Sequence, residues 1–198
     1  MSNTNNSLKG KINTNTIIGL GLLTAIVVVM QFISMGLRFG TFSITLTLIP
    51  IVVGSALYGW GSGAWLGFVF DANLFLAVNI PGTIITVILK GTLAGAAAGF
   101  VYKLISKKNQ IAAVIVSAVV APVVNTGIFV LGSYVFFFDY LSGLAEGTNL
   151  FVFILVGLVG INFFIELGIN LVLNPAILQI IRIGKKNFGG KNQIIKTK

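Results

Sequence analysis

Long apolar runs, separated by short polar or glycine-rich breaks, fill most of the chain. Ile17–Leu37, Phe42–Tyr58, Ala64–Val78, Ile84–Ile105, Ile111–Phe138 and Leu150–Ile181 are apolar almost throughout. A helix rises about 1.5 Å per residue, and about 20 residues cross a ~30 Å hydrocarbon core. The runs are continuous and lack the period-two alternation of a membrane barrel. They predict an all-α integral membrane protein with six transmembrane helices in a bundle.

The breaks refine this picture. Pro50 inside the second run predicts a kink, since proline removes a helical hydrogen bond. Gly59-Trp60-Gly61-Ser62-Gly63 and Asn79-Ile80-Pro81-Gly82 predict tight turns. The third run is short and is expected to lie against other helices. The last two runs exceed one membrane thickness and should tilt, kink or project. The first run is too long for the h-region of a signal peptide, about 7–15 residues, and reads as a retained first span. One membrane domain, residues 17–182, is thus flanked by a polar segment, residues 1–16, and a basic tail, residues 183–198.

Composition agrees. Hydrophobic residues make up 56% of the chain and charged residues 9%, and mean hydropathy is +1.02. A soluble domain carries about 25% charged residues. There is no Cys and no His, and the acids are Asp71, Asp139, Glu146 and Glu166. Thiolate and imidazole metal sites, Ser-His-Asp triads and disulfides are excluded. No G-x-x-x-x-G-K-[ST] loop occurs, so this chain does not cradle ATP in that way. Neither an enzyme nor a bound cofactor is indicated, and no inverted repeat of the transporter type is evident.

The net charge of +9 points to lipid and not to nucleic acid, because the bases cluster at the chain ends and in one loop beside apolar runs. With both termini cytoplasmic, every Lys and Arg except Arg38 and Lys90 lies inside, as the positive-inside tendency requires. The expected location is the cell membrane, with multiple passes.

Ionisable groups within spans are costly and call for a reason. Asp71, Asn125 and Glu166 sit near the middle of their runs, and Lys90 about one turn outward. Asn162, Glu166 and Asn170 follow an i, i+4, i+8 spacing, which puts them on one helix face that should turn inward. Arg38, Asn73, Asn79 and Tyr140 lie toward the outer ends or in the outer loop. Two readings stand. The acids pair with Lys90 and hold the bundle together, or Arg38, Asp71, Asn73, Asn79, Lys90, Asn125, Tyr140, Asn162 and Glu166 border a polar binding cavity.

Small residues recur every four positions at Gly59, Gly63 and Gly67, at Gly91, Gly95 and Gly99, and at Gly21 and Ala25. Such rows permit close helix approach, either inside the bundle or against a partner.

Ile44-Thr45-Leu46-Thr47-Leu48-Ile49-Pro50-Ile51-Val52-Val53-Gly54-Ser55-Ala56-Leu57-Tyr58-Gly59, followed by Gly63-Ala64-Trp65-Leu66-Gly67-Phe68, resembles a signature of the S components of energy-coupling factor (ECF) transporters. Thr24-Ala25 and Val124-Asn125-Thr126-Gly127-Ile128-Phe129 fit the same family, and the resemblance spans roughly residues 17 to 182. It implies a subunit that binds one vitamin from outside. It also implies docking on a T component and two ABC-type ATPases, which would account for the missing phosphate loop. The family's Ala-x-x-x-Ala docking pattern is replaced here by Ala25 and Val29, with Gly21 one turn earlier. The second-span stretch and the fifth-span Asn125–Phe129 look most like the pantothenate-specific branch. Lys90 or Arg38 would then meet the carboxylate, and Asn125 and Asn162 the amide and hydroxyls. The alternatives are another vitamin (riboflavin, folate or a pyrimidine precursor), a stand-alone proton-coupled carrier using Asp71 or Glu166, and an assembly protein without ligand.

Overall fold

The computed structural model describes residues 14–36, 38–39, 42–43, 46–75, 81–145 and 147–188. Helix α1 (Thr14–Gly36) leads into a two-stranded antiparallel ribbon, β1 (Arg38–Phe39) and β2 (Phe42–Ser43), with Arg38 opposite Ser43. Then come α2 (Leu48–Tyr58), α3 (Trp60–Phe75), α4 (Pro81–Ile105) and α5 (Gln110–Phe136). The short α6 (Phe138–Leu144) and α7 (Leu150–Val152) precede a π-helical stretch, Phe153–Gly160, which is followed by α8 (Ile161–Val172) and α9 (Asn174–Phe188).

Among the described residues, three helices are long and apolar enough to cross a membrane: Thr14–Ser34, Ile84–Ile105 and Gln110–Phe136. Leu150–Gly157 and Ile161–Val172, bent by 40°, make a fourth if taken as one span. At 1.5 Å per residue, α2 reaches only about 16 Å and α3 about 24 Å.

Several breaks differ from their sequence reading, each for a local reason. The second run does not begin as a helix, because Phe42 and Ser43 belong to the ribbon and α2 starts at Leu48. Pro50 therefore falls in the first turn, where its missing N–H costs nothing, and the expected kink does not arise. The break at the glycine-rich turn shrinks to Gly59, whose φ of 96° suits only glycine without strain. Gly61, Ser62 and Gly63 already belong to α3. Pro81 is the first residue of α4, a position suited to its fixed φ, so Pro81 and Gly82 of the expected turn belong to the helix, and Asn79 and Ile80 lie outside the described residues. The outer loop expected at 139–148 is largely α6. The long sixth run is divided at Leu173, just before Asn174-Pro175. The first residues of the basic tail continue α9 as a helix as far as Phe188. Between α4 and α5 the chain turns at Lys107-Lys108-Asn109, and Asn109 caps α5 by accepting from Ile111 N (2.9 Å) and Ala112 N (3.1 Å).

Packing is organised by close backbone approach. A Cβ on Gly67 would fall on the carbonyl oxygen of Gly91, and a Cβ on Gly63 on that of Gly95. The two glycine rows of the sequence are thus one seam between α3 and α4, the internal of the two readings. Ser55 Oγ donates to Gly95 O at 3.0 Å and ties α2 to the same seam. Around it, Val52, Ala98, Tyr102, Val114, Ile177 and Ile181 make one core where α2, α4, α5 and α9 meet. Val27, Leu48, Ile51, Leu66 and Phe70 make another between α1, α2 and α3. Large apolar side chains such as Leu131, Phe164 and Val172 point outward. That is unfavourable in water but is the natural outer surface of a bundle in lipid.

Candidate functional site

The α3–α4 seam places Lys90, a half-buried lysine within α4. Gly91 lies against Gly67, which brings Phe70, one turn further along α3, beside Lys90. The Lys90 ammonium stands 5.4 Å from the Phe70 ring centroid and 6.0 Å from that of Phe129 on α5. On the α5 side, a Cβ on Gly132 would meet the Thr86 side chain, so α5 also approaches α4 closely, one turn from Lys90. Three helices therefore converge on one half-buried cation. Each ring face is worth about 0.5–2 kcal/mol to it, more as water is excluded.

Asn125 precedes Phe129 by one turn, on the same side of α5. It is 7% exposed, and its Oδ1 has no hydrogen-bond partner among the described residues. Leaving such an acceptor unmet costs roughly 1–3 kcal/mol.

On α8 the stripe expected to turn inward does so: Glu166 and Asn170 are buried and Asn162 is half-buried. Asn170 Nδ2 donates to the Glu166 carbonyl at 2.8 Å, while its Oδ1 has no partner among the described residues. Helices α5 and α8–α9 run antiparallel. Phe129 shares a cluster with Phe163 toward one end, and Val114 shares one with Ile177 toward the other. That register puts Asn125 level with Glu166. Lys90, Phe70, Phe129, Asn125 and Glu166 thus occupy one stratum of the bundle, offering a cation, two ring faces, amide groups and a carboxyl group.

Tyr140 is 69% exposed on α6. Asn79, and the side chains of Arg38, Asp71 and Asn73, lie outside the described residues. Gly21, Ala25 and Val29 all face outward on α1. Two open apolar depressions, of about 540 and 530 Å³, border Tyr134, Phe138 and Asn149 in one case and Phe164, Gly168 and Val172 in the other. Neither includes Lys90, Asn125 or Glu166.

Sequence reasoning passed over Phe70 and Phe129 as contributors. Their signal was position: Phe70 abuts Asp71, and Phe129 follows Asn125 by four residues. Phenylalanine is so common in apolar spans that its type alone carried nothing.

Comparison with known families decides the identity. The model of the ECF transporter substrate-specific component matches residues 15–178. The chain belongs to that family. Members of the family are membrane proteins and are the substrate-binding parts of a transporter, not enzymes; they associate with a T component and ATPases. No curated protein matches the sequence. Among solved structures, ThiT from Listeria monocytogenes is similar, with a TM-score of 0.64 over 87% of this S component and 96% of its own chain, at 19% identity. At that identity the likeness establishes the S-component fold and leaves the ligand open. Family membership also favours a subunit that works with partners over the stand-alone carrier.

Proposed function

We propose that this S component captures a small anionic vitamin, with pantothenate the first candidate, and carries it inward while docked on a T component with two ATPases. The carrying observation is the Lys90 ammonium between the Phe70 and Phe129 rings, one helical turn from the unmet acceptor of Asn125. A half-buried ammonium held between two ring faces is a group that a ligand carboxylate can meet. An amide acceptor with no donor among the described residues suits a ligand that brings N–H or O–H groups. Pantothenate combines a carboxylate, an amide and hydroxyls in one small molecule. Asn162 and Glu166 extend the polar face along α8, and Arg38, Asp71, Asn73, Asn79 and Tyr140 remain candidates for its rim.

The same proposal includes six spans with both termini cytoplasmic, α2 and α3 serving as short spans supported by their neighbours. The supporting argument is charge: the bases gather at the two chain ends and the α4–α5 turn. Docking on the T component is assigned to the outward face of α1 at Gly21, Ala25 and Val29. Mass spectrometry of small molecules released from the purified protein tests the substrate. Recovery of pantothenate, with binding that a carboxylate-free analogue cannot match, is the expected result. Recovery of a cationic or neutral vitamin would overturn the anionic assignment.

A further inference from the structure

At one end of the bundle, α9 carries three distinct sectors. Asn174, Ile177, Ile181 and Gly184 are buried, with Gly184 seated against Leu57 of α2. Next around the helix come Lys185, Arg182 and Lys186, all exposed. The third sector presents Ile183 and Ile180, also exposed. Lys185 Nζ donates to the Tyr102 hydroxyl at 2.9 Å and lies 4.9 Å from the Tyr102 ring centroid, fastening the basic sector to the end of α4. Immediately beyond Tyr102 follow Lys103, Lys107 and Lys108, each exposed. None of the four acids of the chain belongs to this end of α4, to the α4–α5 turn or to α9. Two basic segments distant in sequence therefore form one positive surface bordered by exposed isoleucines.

We propose that this surface binds the headgroups of anionic phospholipids. An apolar sector adjoining a basic one on the same helix is the arrangement of a segment at the lipid–water boundary. The isoleucines face acyl chains while the lysines and arginine reach phosphate oxygens, each base adding attraction to an anionic leaflet. A soluble acidic protein would have no use for the adjoining exposed isoleucines. Lipid binding at this surface is independent of which nutrient is bound.

The test uses the full chain in a neutral detergent, titrated with phosphatidylglycerol or with phosphatidylcholine of the same acyl chains, with bound lipid read by native mass spectrometry. Phosphatidylglycerol is expected to bind at least ~10-fold tighter, with a preference that shrinks as salt rises. The variant Lys107→Gln/Lys108→Gln/Arg182→Gln/Lys186→Gln should lose that preference while its melting temperature in phosphatidylcholine holds. Should that variant not fold, Lys107→Gln/Lys108→Gln on the turn alone is expected to lose part of the preference. Equal binding of the two lipids, or an undiminished preference in a folded variant, would overturn the proposal. So would full competition by millimolar inorganic phosphate or by a soluble acidic polypeptide.

Discussion

Gly67 and Gly91 leave no room for a side chain between α3 and α4: a methyl on the first would overlap the carbonyl oxygen of the second. The obstruction is backbone, which cannot rotate aside as a flexible side chain would. Gly67→Ala is therefore expected to destabilise the protein by about 1–3 kcal/mol through overpacking. Gly21→Ala, with nothing within 4 Å of its Cβ, should be neutral or stabilise by up to about 1 kcal/mol through helix propensity. Thermal unfolding in detergent distinguishes the two. Equal melting temperatures would remove the seam as a determinant of the fold.

The outward face of α1 leads to the second prediction. Gly21, Ala25 and Val29 are exposed there alongside Leu22 and Phe32. Ala25→Leu adds bulk without entering the core, so melting temperature and ligand affinity should hold while co-purification with the T component falls. Undiminished association would move docking to another face. Loss of ligand binding instead would mean that α1 reports on the site.

Tyr102 is buried among Val52, Ala98 and Ile181 while its hydroxyl accepts from Lys185. Tyr102→Phe keeps the ring and removes the hydroxyl, so a loss of about 1 kcal/mol is expected. Tyr102→Ala opens a cavity where four helices meet and should cost about 3–5 kcal/mol. If both substitutions cost the same, packing of the ring contributes little and α9 is held by something else.

The membrane class, the α1, α4 and α5 helices, and the inward turn of Glu166 and Asn170 were legible because each rests on local pattern: unbroken hydropathy or an i, i+4 spacing. The Gly59–Gly67 and Gly91–Gly99 rows were equally visible, but a row of small residues does not say which surface it meets. Only the fold joined them. Boundaries failed where a breaker has two uses. Pro50 and Pro81 were read as a kink and a turn, yet each sits in the first turn of a helix, where proline is at ease. Phe70 and Phe129 escaped because their part depends on Lys90 reaching across from another helix, which no spacing within α3 or α5 encodes.

Lys90 is where a ligand role and a structural role make different demands. If a ligand carboxylate pairs with this ammonium, Lys90→Met should weaken binding by one to two orders of magnitude, about 1.4–3 kcal/mol, and leave the melting temperature of the empty protein nearly unchanged. If the lysine instead balances a buried acid, the same substitution strands that charge, and stability should drop by about 3–5 kcal/mol. Asn125→Ala supplies an independent check. Its Oδ1 meets no protein donor among the described residues, so removing it should leave stability largely intact while costing roughly tenfold in affinity. Phe129→Leu preserves apolar volume but removes one ring face, and should weaken whatever Lys90 does by about 0.5–2 kcal/mol. Isothermal titration and thermal unfolding on these three variants separate the roles. An affinity loss shared by all three, at constant stability, assigns the stratum of Lys90, Asn125 and Phe129 to the ligand. A stability loss at Lys90 with unaltered affinity in all three would remove the lysine from the site and the anionic substrate with it.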